Sequence, residues 1–240
     1  CIQNEHSNIV RIEEDGRCVL DKEARKDTQE QLDAMQFSMQ GIYEFAEIAD
    51  LADVKEILNR QIQCNTAIAE EGLAHSYGAN IGSVLLSTYG DSVQIRARAL
   101  AAAGSDARMS GCELPVIINS GSGNQGMTCS LPVIAYAREL QSSEEQLYRA
   151  LLISNPSTLY QKKYIGRLSA YCGAVSAGAG AGAGIAYLLG GDYDHICHAI
   201  VNALAITSGM ICDGAKPSCA AKIATAVDAG IMGCMMYQKG

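Results

Sequence analysis

The chain has no tryptophan, only two phenylalanines and only four prolines among its 240 residues. With so few bulky aromatics to fill a core, small and aliphatic side chains must do the packing, which predicts helices that approach one another closely. There is no cluster of Lys and Arg, and the formal net charge is −8. These two features argue against a nucleic-acid footprint and against attraction to an anionic membrane surface. No charged-then-apolar leader opens the sequence. The ten cysteines form no compact, evenly spaced framework, and several (Cys64, Cys129, Cys197, Cys234) sit among apolar neighbours, as free buried thiols do. A disulfide-stapled secreted scaffold is thereby disfavoured, and a reducing cytoplasm is the expected setting. The longest uncharged run, from Ala170 to Leu189, is mostly alanine and glycine. It lacks the Leu, Ile and Phe content that drives membrane insertion, so it reads as a buried helix of a soluble core.

What is present is mainly helical. Residues 1–22 differ from the rest: Asn8 to Ile12 alternates weakly, Glu14-Asp15-Gly16-Arg17 is a turn, and Cys18-Val19-Leu20 follows. That is a hairpin signal, and since a lone hairpin is marginal in water, it is expected to be the remnant of a larger β-containing region. Residues 23–240 form the helical domain. Asp27-Thr28-Gln29-Glu30 can start a helix; Asp50 or Asp53 caps the next, with Val54, Ile57, Leu58, Ile62 and Ala69 on one stripe. Further helices are expected from Val93 to a stop at Gly104, from Ser142-Ser143-Glu144-Glu145 to a stop at Pro156, from Asp192 to Ser208, and from Ser218 to Gln238. Eight to ten helices and no βαβ spacing make the fold class mainly α.

Three stretches can carry chemistry. The run Ser120-Gly121-Ser122-Gly123-Asn124-Gln125-Gly126 satisfies G-x-G-x-x-G. A dinucleotide site would need that loop inside a βαβ unit with an acidic residue about 20 positions on, and the alternating strands are missing. The loop is better read as a cradle: glycines expose backbone N–H groups where a helix begins, and Ser120, Ser122, Asn124 and Gln125 add neutral donors and acceptors. This suits a small zwitterion such as an amino acid. The bland alternative is a polar connection between helices. Just upstream, Asp106 and Arg108 form a pair that could fix a substrate carboxylate, or merely a salt bridge at a helix end. The third stretch is Cys212-Asp213-Gly214-Ala215-Lys216-Pro217-Ser218-Cys219, with Cys172 upstream. The spacing C-x39-C-x6-C departs from the short pairs of a structural zinc site. It allows three thiolates on an iron–sulfur cluster with one iron open, or three ordinary buried cysteines. His6, His75, His195 and His198 are too dispersed for an evident metal set.

Asp106-Ala107-Arg108-Met109, the run Asn119 to Gly126, Arg167 to Gly173 and Met210 to Cys219 together resemble the L-cysteine desulfidase family, once grouped only as an uncharacterised protein family. That family is related to the α domain of iron–sulfur L-serine dehydratases, and the resemblance covers essentially the whole chain. It implies a pyridoxal-independent lyase with a [4Fe–4S] cluster on three cysteines, acting on a small amino acid by β-elimination. Cys172 and Cys212 match two ligand positions. The third is either Cys219, at a shorter spacing than the dehydratases use, or a cysteine in a Gly-Cys-Thr-Glu-Pro motif that this chain does not contain. The chain is therefore expected to be the C-terminal portion of such an enzyme. Under the resemblance, the Ser120–Gly126 loop with Asp106 and Arg108 holds the substrate, and Lys216 and His75 are the candidates for the base. L-Cysteine and L-serine both remain open as substrates. A non-catalytic small-molecule-binding domain is the reading of another class. The Ala/Gly-rich helices also permit a homodimer.

Overall fold

The computed structural model describes residues 1–2, 8–22, 37–166 and 169–240. The segment beginning at Asp27, as well as His6, Arg167 and Leu168, lies outside the described residues. Strands β1 (Arg11–Glu14) and β2 (Arg17–Asp21) form an antiparallel hairpin. Asp15 and Gly16 both have positive φ, 49° and 77°, the primed two-residue turn whose twist matches that of the strands it joins. Pairing runs Arg11↔Asp21 and Ile12↔Leu20, then Glu13↔Cys18. Val19 is thus the extra residue of a bulge.

Nine helices follow among the described residues: α1 Met39–Ile48, α2 Leu51–Ala74, α3 Ile81–Tyr89, α4 Val93–Met109, α5 Gly123–Glu139, α6 Glu144–Ile165, α7 Gly173–Leu188, α8 Tyr193–Thr207 and α9 Cys219–Lys239. Their starts are chemically marked. Asp50 caps α2 by accepting the Ala52 N–H at 2.9 Å, and Asp192 caps α8 through His195 N–H at 2.9 Å. Ser143 and Gln146 close a capping box on α6.

Helix α7 is the axis of the molecule, packed against α5, α6, α8 and α9. Its Ala-Gly alternation makes two seams. On one side a Cβ added at Gly178 or Gly182 would stand 2.3 Å from the Ala226 carbonyl oxygen or 2.5 Å from that of Gly230, both on α9. On the other, a Cβ at Gly180 or Gly184 would stand 2.7 Å from the Ser154 oxygen or 2.9 Å from the Ala150 oxygen, both on α6. Only glycine admits backbone at that range. Around the seams Leu131, Ile134, Leu151, Ile153, Ile185, Ile196 and Ile223 are almost fully buried, each contributing about 1.5–3 kcal/mol. Helix α9 is long and apolar enough to cross a membrane by length and composition, but 56% of its apolar window is buried, and it packs on α7 and α8.

Two expected helix stops are not stops. Helix α4 passes through Gly104 to Met109; the missing side chain admits the Met127 sulfur, which would lie 2.8 Å from a Cβ there. Helix α6 passes through Pro156 to Ile165. A helical proline costs about 3 kcal/mol. Here it is offset by burial on both sides of the proline, at Leu151, Ile153, Ser157 and Thr158, and by Ser154 Oγ donating to the Cys129 carbonyl at 2.6 Å. Among the described residues there is no parallel sheet, which removes the dinucleotide-fold reading of the glycine loop.

Candidate active site

The glycine loop is a tight turn that delivers a helix. Asn119 and Ser122 exchange backbone hydrogen bonds at 3.1 and 2.9 Å, with Ser120 (φ 51°) and Gly121 (φ 79°) at the corner. Ser122 then caps α5, accepting from the Gln125 N–H at 3.4 Å. A buried amide network holds the turn from below. Asn119 Nδ2 donates to both the carbonyl and the Oδ1 of Asn155 at 3.1 Å, and the side chains of Asn155 and Gln61 bond reciprocally at 2.9 Å. Gly126 allows the turn to close over the strand-like run before it, since a Cβ there would stand 2.0 Å from the Ile117 oxygen.

The thiols arrive on a second, separate device. Residues 170–172 and 210–212 pair antiparallel: Cys212 N–H donates to the Ala170 carbonyl at 2.7 Å and Cys172 N–H to the Met210 carbonyl at 3.2 Å, with Tyr171 opposite Ile211. Cys172 and Cys212 are therefore diagonal neighbours on one face of this ladder, a relation that spaces residues by about 7–8 Å. Cys219 opens α9, its thiol 3.6 Å from the Gly214 carbonyl. Asp213 ties the turn down, accepting from Lys222 and pairing with Lys216 at 3.1 Å. These two lysines, Lys222 foremost, hold the Asp213 carboxyl at a pKa of about 2.

Both devices open onto one cleft of about 520 Å³, lined by Ser122, Asn124 and Gln125 from the loop and by all three cysteines. Three helices begin there: α5 at Gly123, α7 at Gly173 and α9 at Cys219. Helix starts carry partial positive charge and free N–H groups. Neither Cys172 at the start of α7 nor Ser218 at the start of α9 makes a side-chain capping bond. Burial pushes the Cys172 thiol up, and the Ala174 N–H partly offsets this. The cations on the lining are Arg108, which donates to Asn124 Oδ1 at 3.2 Å, and Lys162. No aspartate or glutamate is among the lining residues. In a chain of net charge −8 this is an electropositive hollow. On the other side of Tyr171 and Cys172 lies an apolar cavity of about 470 Å³ between α6, α7 and α8.

Not every anticipated site residue reaches the cleft. Ser122, Asn124, Gln125, Gly121, Arg108 and the three cysteines do. Ser120 stands at the corner and donates to Asn119 Oδ1 at 2.8 Å, while Gly123 lies under Arg108, whose Nε would be 2.6 Å from a Cβ there. Asp106 does not pair with Arg108 over a substrate. It is fully buried and accepts the N–H groups of Ile81 (2.7 Å) and Ala79 (3.4 Å), supplying from α4 the cap that Asn80 does not give α3. Burial pushes its carboxyl pKa up. His75 ends α2, bonded to Glu71 at 3.0 Å, and is not a lining residue. Lys216 has its ammonium in the ion pair with Asp213. Sequence reasoning missed Lys162, which the continuation of α6 past Pro156 carries to the cleft. It is 8% exposed, and burial lowers its pKa against the opposing pull of the Cys212 and Cys172 thiols. Its signal was the helical register of α6, hidden by the expected stop.

The donor set can be tested against the expected cluster. Three thiols on one cleft are soft ligands suited to iron. Among the described residues no group of three or more His, Cys, Asp or Glu is arranged to hold a single metal ion. Cys172 and Cys212 instead share one face of the short ladder and one cleft with Cys219, a placement compatible with a polynuclear cluster. The residues present fit such a group.

Comparison with known proteins agrees over nearly the whole length. The family described as serine dehydratase alpha chain matches residues 12–240. A UPF0597 protein of Desulfitobacterium hafniense is 61% identical over 244 residues, covering all of this chain and 56% of the relative. A UPF0597 protein of Lachnoclostridium phytofermentans is 57% identical over 235 residues, covering 98% of this chain and 56% of the relative. One from Bacteroides thetaiotaomicron is 40% identical over 236 residues, covering 96% and 55%. The chain thus spans little more than half the length of the curated relatives it matches. No solved structure matches it. With the match running from the hairpin to the last helix, through the turn at Asn119–Ser122 and all three cysteines of the cleft, the chain belongs to the serine dehydratase alpha chain family.

Proposed function

We propose that the chain carries the catalytic cleft of an iron–sulfur-dependent, pyridoxal-independent lyase that converts L-cysteine to pyruvate, ammonia and sulfide. The observation that supports this reading best is the meeting of Cys172, Cys212 and Cys219 with the Ser122–Gln125 helix start on one electropositive cleft. A [4Fe–4S] cluster held by these cysteines would supply a Lewis-acidic iron for the departing β-substituent. The chain's own residues bind and orient the amino acid. Ser122, Asn124 and Gln125 offer neutral donors and acceptors, and Arg108 holds Asn124 in place. Loss of the α-proton and of the β-thiol as hydrogen sulfide leaves aminoacrylate, which takes up water to give pyruvate and ammonium. The printed name of the matching family favours L-serine as a second substrate, with water leaving instead of hydrogen sulfide.

The test is anaerobic reconstitution of the chain with iron and sulfide, followed by iron analysis and a pyruvate assay with each amino acid. Cys172→Ala and Cys212→Ala are each expected to lose most of the iron and all of the pyruvate. If Cys212→Ala retains full iron and activity, the ligand assignment is wrong. A wild-type protein that takes up no iron points to a non-catalytic binding domain.

A further inference from the structure

The cleft contains a charged group for which the lyase reading has so far given no use. Lys162, in the last turn of α6, is more than nine-tenths buried and lines the cleft. Its ammonium makes no hydrogen bond or ion pair among the described residues. A buried ammonium without a counter-charge is costly, so such a group is retained where something anionic visits it. Facing the same space is the start of α7, a helix of 16 residues whose N-cap, Cys172, makes no side-chain capping bond. Val175 N–H is spent on the Cys172 carbonyl at 3.0 Å and Ala174 N–H on the Cys172 thiol, which leaves the Gly173 N–H at the cleft. Gln125 lies against Gly173, its amide nitrogen 2.4 Å from where a Cβ would stand, and its buried Oε1 has no partner.

The start of α5, the other lining cation Arg108, and Lys222 beside the Cys212–Asp213 turn are already engaged. Ser122 Oγ caps α5, and Arg108 is bonded to Asn124. Lys222 is held by Asp213 and by the Ile211 carbonyl at 3.0 Å.

We propose that the substrate's carboxylate is seated at the N-terminus of α7, against the Gly173 N–H group and the Lys162 ammonium, so that the cleft selects small carboxylates. The assignment rests on the lyase reading in one respect, that the cleft admits the substrate. It moves the carboxylate from the Ser120–Gly126 loop to α7 and leaves the loop for the rest of the molecule. A competing role for Lys162, neutralising the nearby thiols, predicts no change in carboxylate affinity when the lysine is removed.

The experiment is calorimetric titration of the metal-free chain, under anaerobic conditions, with L-serine and with L-serinamide, whose carboxylate is replaced by a neutral amide. The wild type should bind L-serine at least about tenfold more tightly than L-serinamide. Lys162→Met should weaken L-serine at least about tenfold and leave L-serinamide unchanged, while Lys162→Arg should stay within about threefold of the wild type. Thermal melts of each variant check the fold, and the two-ligand comparison on the wild type needs no variant at all. Equal affinity for the two ligands, no binding of L-serine, or a folded Lys162→Met that binds L-serine like the wild type would each overturn the proposal. Because no turnover is read, the outcomes separate. Lysine-dependent binding without pyruvate from the reconstituted protein sinks the lyase and keeps the carboxylate seat; pyruvate with a lysine-independent affinity does the reverse.

Discussion

Replacing Gly182 by alanine tests the packing that carries the cleft. The added methyl would stand 2.5 Å from the Gly230 oxygen and 2.9 Å from its Cα, whereas ordinary contact begins at 3.4 Å. The shortfall of about 0.9 Å falls on backbone, so no side-chain rotation can absorb it, and α7 and α9 must part. Overpacking of this kind reaches about 3 kcal/mol, and the better helix propensity of alanine returns about 1 kcal/mol. The net loss of about 2 kcal/mol corresponds to a fall in Tm of about 4–8 °C for a chain of this size. The control is Gly209, which has no contact within 4 Å of a built Cβ and no positive φ; its change to alanine should leave Tm unchanged or slightly raised. Thermal denaturation followed by circular dichroism reads both. A Gly182→Ala protein that melts at or above the wild-type temperature would refute the claim that backbone contact sets the distance between these helices.

Four further outcomes are expected. Burial pushes the Cys129 and Cys234 thiols up to about 12 from 9.0. Iodoacetamide at neutral pH should therefore label exposed Cys212 and spare these two, as mass spectrometry would show. Cys234 is spared although it lies 3.3 Å from His195 Nε2, since that nitrogen also faces the Cys234 carbonyl at 3.0 Å. Because both pKa values are raised on folding, the stability they protect is complete below pH 9 and is lost as pH climbs toward 12, by up to about 1.4 kcal/mol per pH unit for each thiol; urea titrations across that window should show the decline. Asp106→Ala should cost about 1–2 kcal/mol through loss of the α3 cap and speed amide exchange in α3, yet leave L-serine affinity unaltered; a selective loss of binding would return Asp106 to the site. Asn155→Ala strands the buried amides of Gln61 and Asn119, each worth about 1–3 kcal/mol, and should raise amide exchange across the Asn119–Ser122 turn.

Much of the fold follows local rules that the sequence displays. Asp15-Gly16 dictates its turn, Asp50, Ser143 and Asp192 mark helix starts, and the Ala-Gly alternation announces a buried helix. The stops were less legible because glycine and proline end a helix only when nothing else holds it. Tertiary packing overrode both at Gly104 and Pro156. That override concealed Lys162, since a helix ending at Pro156 would never have carried it to the thiols. Asp106 illustrates the reverse case. Its neighbour Arg108 suggested an ion pair, but its true partner is the start of a helix 25 residues earlier in the chain, a relation with no local signal. The three cysteines could be singled out by type and spacing; the short ladder that sets Cys172 diagonal to Cys212 pairs segments 40 residues apart and exists only in three dimensions.

The meeting of three helix starts at one hollow also bears on how this site can change. Besides Arg108 and Lys162, the donors that make it electropositive are peptide groups, which most side-chain substitutions leave in place. Side chains that line the cleft without holding its turns, such as Ala215 and Ile223, can vary against that background. Descendants of such a site would keep their preference for anions while exchanging the atoms that decide which anion is transformed, and so could diversify in chemistry without first surrendering a place to bind.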